Sequence, residues 1–95
     1  GASDINITES GVYLISYSTV ATNTTGAGTA SVQLEENGTA IPGSVTSETL
    51  TAASDTATLA ATVIISVTGT ATITLNMVGT GLSFTNTSVA VTKLS

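Results

Sequence analysis

The feature that most constrains this chain is the run LAATVIISV at Leu59–Val67, which is apolar in both phases of a β-strand. One phase contains Leu59, Ala61, Val63, Ile65 and Val67, and the other includes Ala60 and Ile64. A strand buried on a single face alternates apolar with polar residues, so a strand that is apolar on both faces needs cover on both. Because the chain has almost no helix signal, we expect another subunit to supply the second cover, and the sequence indicates an all-β oligomer.

The composition fits a small domain with an uncharged, hydroxyl-rich exterior. The 95 residues predict one domain, 1–95. Charged residues make up 7% of the chain, against about 25% in an average globular protein. In their place stand 21 Thr and 12 Ser. Thr is β-branched and suits a pleated, half-buried surface, so this composition favours β-strands.

The charge balance excludes several classes of partner. The net charge is −5 and Lys93 is the single cation, so the chain lacks the basic residues that neutralise phosphates. We therefore expect no nucleic-acid partner and no anionic membrane surface. No stretch of about 18 apolar residues occurs, and no membrane-spanning helix is expected. The start at Gly1 without Met indicates an excised fragment or a processed product.

Short alternating segments separated by Gly and polar clusters predict seven to nine antiparallel strands, arranged as a sandwich or jelly roll. A loop is expected at TNTTGAG, residues 22–28. The predicted strands are a short one with Ile5 and Ile7, then Val12–Ala21, Ala30–Glu36, a return strand with Ile41 and Val45, Leu59–Val67, Ala71–Val78, a short strand or loop with Leu82 and Phe84, and Val89–Leu94.

Two local signals refine the middle of the chain. Asn37-Gly38 follows an alternating strand and predicts a type I′ hairpin turn, which needs positive φ at both central residues. Pro42-Gly43 interrupts the returning strand, and because Pro lacks a ladder donor, this strand is expected to be an edge strand or to be broken there.

Alternation divides the apolar residues between a core and an intersubunit face. The predicted core comprises Tyr13, Ile15 and Tyr17, facing Val63 and Ile65. The opposite phases of the same two strands predict the interface between subunits, which comprises Val12, Leu14, Ala60, Thr62 and Ile64.

Catalytic residues are scarce. The chain has no His and no Cys, so triads of the Ser–His–Asp or Cys–His type are impossible. Alternation places the six acids on outer faces or in turns, so we expect no enzyme, no cofactor and no metal site. These acids are Asp4, Glu9, Glu35, Glu36, Glu48 and Asp55. Four N-x-[ST] sequons, at Asn6, Asn23, Asn37 and Asn86, are expected by chance in a chain this rich in Ser and Thr.

Three segments together carry a family resemblance. They are G-V-Y-x-I-S-Y at Gly11–Tyr17, V-x-L-x-x-N-G-T-x-I-P-G-S at Val32–Ser44, and N-x-S-V-A-V-x-K-L at Asn86–Leu94. They resemble the C-terminal globular head of bacterial collagen-like proteins such as exosporium glycoproteins. That head is similar to the complement and tumour-necrosis-factor heads. The resemblance implies a jelly roll that forms a homotrimer above a collagen-like stalk, with one further strand often preceding those seen here.

The resemblance implies a non-enzymatic structural function outside the cell, on a bacterial or spore surface such as the exosporium. The head would register three collagen-like chains and form the filament tip. A carbohydrate- or receptor-binding head of an adhesin or phage fibre is the alternative, and it would need an exposed aromatic or Asn/Asp cluster. A monomeric immunoglobulin-like stalk module is a third possibility, which a solution mass would separate from the trimer.

Overall fold

The computed structural model describes residues 4–95, and the elements in this part of the chain are all strands. The fold is an antiparallel, sandwich-like all-β arrangement, as the alternating segments predict. The strands are β1 (Asp4–Ile7), β2 (Gly11–Asn23), β3 (Gly28–Glu36), β4 (Thr39–Ala40), β5 (Thr46–Leu50), β6 (Thr56–Val67), β7 (Ala71–Val78) and β8 (Leu82–Lys93).

The strands form two sheets. One has the order β1-β7-β3, with β4 and β5 sharing the second edge of β3; the other has the order β6-β2-β8. We call them the five-stranded and the three-stranded sheet. Within them the pairs β1 with β7, β2 with β6, and β3 with β5 are antiparallel and nested along the chain.

The core lies between the two sheets and follows the period-two alternation of the strands. In the three-stranded sheet, alternate residues of β2 from Tyr13 to Asn23 are buried. In the five-stranded sheet, fully buried side chains include Val32, Leu34, Ile73 and Leu75. Each such side chain stabilises the fold by about 1.5–3 kcal/mol relative to an exposed one.

The predicted hairpin turn is confirmed. Asn37 has φ of 51° and Gly38 has φ of 86°, and the flanking residues Glu36 and Thr39 pair with each other. The Asn37 side chain also ties the turn to β7, because its Oδ1 accepts the Thr72 backbone N–H at 2.9 Å. The turn thus fixes the register of β3 with β4 and contacts β7 as well.

We expect Gly38→Val to destabilise the protein by about 1–3 kcal/mol, because a β-branched residue resists positive φ. No atom lies within 4 Å of a Cβ built at Gly38, so the cost would come from the backbone alone. Urea unfolding measures it. Gly38→Asn is the matched control, since Asn adopts positive φ more readily. Equal stability of the Val variant and the parent would contradict the turn assignment.

The last strand differs from the prediction. Leu82–Phe84 and Val89–Leu94 are not separate strands with a loop at Asn86, because β8 runs continuously from Leu82 to Lys93. A bulge shifts the register with β2 between Ser18 and Val20, so that two residues of β8 oppose Thr19. Asn86 sits in this bulge at φ of 53°. The polar run T-N-T-S therefore marks a bulge within a strand, which period-two alternation alone does not detect.

Two other predicted strand boundaries can be compared with the structure. The loop expected at 22–28 is shorter, because β2 continues through Asn23 and β3 already begins at Gly28. The break expected at Pro42-Gly43 is confirmed: β4 ends at Ala40 and β5 begins at Thr46. Ile41 is buried in the gap between them, whereas Val45 is exposed.

Candidate association surface

The outer face of the three-stranded sheet carries no charged side chain. Residues paired directly across strands point to the same side, and the odd-numbered residues of β2 point into the core, so its even-numbered residues and their partners point outward. We call this surface the uncharged face. Its members are Val12, Leu14, Ser16, Ser18, Val20 and Thr22 of β2, Thr56, Thr58, Ala60, Thr62, Ile64 and Ser66 of β6, and Ser83, Thr85, Ser88, Ala90 and Thr92 of β8.

The structure places all five predicted interface residues on the uncharged face. Leu14 of β2 pairs with Ile64 of β6, and the Ile64 side chain is 64% exposed. Val12 is the next outward-facing residue before Leu14 on β2, and Ala60 and Thr62 precede Ile64 along β6. The chain therefore presents the exposed Ile64 to solvent beside the partly buried Val12 and Leu14 and beside small and hydroxyl-bearing residues.

The five predicted core residues lie on the inner face of the same sheet. Tyr13, Ile15, Tyr17 and Val63 are buried, and Ile65 packs against them while partly buried. The Tyr13 hydroxyl donates to the Glu9 carbonyl at 2.7 Å. The Tyr17 hydroxyl donates to the Ser44 carbonyl at 2.5 Å. Both rings thus face the core, with their polar ends on backbone acceptors rather than toward a ligand.

The acids are dispersed over other parts of the surface. Asp4 and Glu35 flank Thr74 on the outer face of the five-stranded sheet. Glu35 accepts hydrogen bonds from the amides of Gln33 and Asn76 at 2.7 and 3.3 Å. No group of three or more acids in residues 4–95 is placed to hold a metal ion.

The single cation lies at one end of the three-stranded sheet. The Lys93 Nζ atom is 3.8 Å from a Glu9 carboxylate oxygen, and both side chains are largely exposed. An exposed ion pair of this length contributes little to stability because solvent screens it. Lys93 pairs with Tyr13 and so belongs to the inward phase of β8, away from the uncharged face.

The buried polar residues Thr19, Asn23 and Ser44 are structural residues that alternation in the sequence did not mark. Ser44 bridges the gap left between β4 and β5. Its Oγ atom accepts the Leu34 backbone N–H at 3.0 Å and donates to the Ile41 carbonyl at 2.7 Å. The position directly after Pro42-Gly43 is the only sequence signal for this role: a broken edge strand leaves ladder groups that need other partners.

We expect Ser44→Ala to cost about 1–3 kcal/mol of stability, because it leaves the buried Leu34 N–H and Ile41 carbonyl without this partner. Ser44 is 0% exposed, so water does not replace the hydroxyl without rearrangement. Urea denaturation measures the loss, with the exposed Ser47→Ala as a control expected to stay within about 0.5 kcal/mol of the parent. Equal losses for the two variants would contradict this role.

Comparisons with known proteins give no identification: no family model matches the chain, and no curated protein matches it. Within residues 4–95 there is no helix long and apolar enough to cross a membrane.

Proposed function

We propose that this protein is a non-enzymatic structural head that forms a homotrimer and registers three collagen-like chains of a bacterial or spore-surface filament. The uncharged face, on which the exposed Ile64 pairs with the partly buried Leu14, is the observation that carries the proposal. The resemblance of Gly11–Tyr17, Val32–Ser44 and Asn86–Leu94 to the heads of bacterial collagen-like proteins supplies the stalk and the surface location.

The pairing of the strands supports a jelly roll. A jelly roll winds an antiparallel ribbon into two sheets, so its strands pair in nested fashion. Here β1 pairs with β7, β2 with β6, and β3 with β5. In this nesting the partner of β8 would be a strand that precedes β1. The resemblance implies such an upstream strand, and the second edge of β8 is where it would pair.

The distribution of charge supports self-association. Copies that each carry a net charge of −5 repel one another, unless the surfaces that meet are free of acids. The uncharged face meets this condition, and its extent is sufficient for a specific contact. Three strands of about twelve residues span roughly 14 by 40 Å, or about 560 Å² per copy, and two such faces together exceed the roughly 1,000 Å² in total that a biological interface needs.

A compact trimer would serve a collagen-like stalk because the repeating Gly-X-Y sequence does not define its own register. Three chains joined at one end start winding from aligned residues. The hydroxyl-rich exterior, with a single Lys and no Arg, would also give trypsin-like proteases few sites. Neither function requires a catalytic residue.

The carbohydrate- or receptor-binding alternative gains less support. The chain has three aromatic residues; Tyr13 and Tyr17 are buried, and Phe84 is partly buried against the core. An exposed aromatic ring that could stack on a sugar is therefore missing from residues 4–95.

Grafting the chain downstream of a Gly-Pro-Pro repeat segment tests the proposal. After thermal melting, we expect the triple helix to refold several-fold faster with the head attached than without it. Three chains that the head already holds together do not need to meet by diffusion before they wind. Refolding is followed by circular dichroism. An Ile64→Glu head should lose the acceleration, and a Thr29→Glu head should keep it. Equal refolding rates with and without the head would contradict the function in chain registration.

A further inference from the structure

We infer that copies of this chain meet mainly at one end of the uncharged face, on an apolar cluster formed by Val12, Leu14, Ile64 and Leu94. The inference rests on the proposed self-association and adds a contact residue, Leu94, together with the position of the contact on the sheet. The partner is a second copy of this chain.

Leu94 extends the uncharged face beyond the last residue of β8. Its backbone N–H donates to the Val12 carbonyl, with N and O 2.6 Å apart, and the Val12 N–H donates to the Ser95 carbonyl at 3.3 Å. Because Lys93 lies opposite Tyr13 in the inward phase, alternation turns Leu94 outward, beside Val12. The Leu94 side chain is 50% exposed. It therefore continues the apolar surface of Val12, Leu14 and Ile64.

Two of the large exposed apolar side chains lie at this end. In residues 4–95 there are four of them, namely Val45, Ile64, Val78 and Leu94. Ile64 lies on β6 and Leu94 directly follows β8, so at this end of the sheet they flank Val12 and Leu14 of β2. A contiguous exposed apolar patch on a soluble protein marks an interaction surface.

The other end of the uncharged face has a different character. Its outward positions are Thr22, Thr56, Thr58, Ser83 and Thr85, with Val20 as the single large apolar residue. Burying these hydroxyls without partners would cost free energy, whereas water satisfies them when they stay exposed. A second copy therefore gains most by covering the apolar end and leaving the hydroxyl-rich end hydrated.

The charged residues next to the apolar cluster lie where the rim of an interface would be. The Glu9–Lys93 ion pair lies at the same sheet end but in the inward phase, so it borders the cluster without entering it. Interfaces between proteins commonly place such polar pairs around an apolar centre. No acid of the chain lies on the uncharged face, so two clusters from different copies meet without like-charge repulsion.

Sedimentation equilibrium of three single variants tests the inference. We expect Leu94→Glu to weaken association at least about 100-fold, because a carboxylate enters an apolar contact. Thr58→Glu lies on the same face at the hydroxyl-rich end, and we expect it to change association by less than about threefold. Leu94→Ile should associate as the parent does. Thermal melting at a concentration where all proteins are monomeric confirms that each variant folds.

The outcomes separate the inference from the proposed function. If Thr58→Glu weakens association as much as Leu94→Glu, or if Leu94→Glu associates like the parent, the contact is not centred on this cluster, although self-association still holds. A parent that is monomeric at all concentrations overturns both the proposed trimer and this inference.

Discussion

Ile64→Glu should convert the assembled protein to monomers. The Ile64 side chain is 64% exposed in the single chain and lies opposite Leu14, on the β6 side of the apolar cluster. Covering the exposed part of it in a trimer contributes about 1–2 kcal/mol per copy, and the symmetry of the assembly triples that gain. The substitution replaces it with three carboxylates buried without partners, which is costlier than the loss of the contact alone.

The control for this variant must add a carboxylate elsewhere without creating a new repulsion. Thr74 is a poor choice because it lies between Asp4 and Glu35 on the outer face of the five-stranded sheet. Thr29 on β3 is exposed and pairs with Thr49, so Thr29→Glu is the better match. We expect Thr29→Glu to sediment as the parent does. An Ile64→Glu protein that sediments in the same way would show that the uncharged face is not the interface.

Asn23→Leu should be the most damaging substitution within a single chain, with an expected loss of about 3–5 kcal/mol. Asn23 is 1% exposed. Its Nδ2 donates to the Leu50 carbonyl at 3.3 Å, and its Oδ1 accepts the backbone N–H groups of Thr25 and Gly26 at 3.1 and 3.3 Å. Leucine has a similar volume but leaves all three backbone groups without this partner.

Urea unfolding of Asn23→Leu and Asn6→Ala measures this effect. Asn6 lies on β1 and is exposed, so its substitution should stay within about 0.5 kcal/mol of the parent. Similar losses for both variants would show that the buried amide of Asn23 does not stabilise the fold by connecting Thr25 and Gly26 to Leu50. The same burial leaves the Asn23 sequon inaccessible in the folded protein, although it matches the glycosylation pattern.

Sequence patterns predict much of this fold because most strands are buried on one face only. Ala71–Val78 alternates cleanly, and the structure has β7 with the same bounds. Asn37-Gly38 specifies its turn locally, since few residue pairs adopt positive φ at both positions. In β8, by contrast, the bulge at Asn86 breaks the alternation, and the sequence there resembles a loop.

Sequence patterns do not predict the buried polar contacts, because these contacts join residues that are distant in the chain. Ser44 serves β3 across the gap between β4 and β5, and Asn23 connects its own loop to Leu50. Nothing in the neighbouring residues identifies these partners. The sequence pattern likewise places Leu94 in the last strand without a role in the surface, and the backbone pairing with Val12 brings it beside the other apolar residues.

The mass of the unmodified protein in solution tests the central claim most directly. Sedimentation equilibrium at micromolar concentration should give three times the mass of one chain, because three copies cover the apolar end of the uncharged face that a monomer exposes. A single species with the mass of one chain at that concentration would contradict the trimer, and with it the function in registering a stalk.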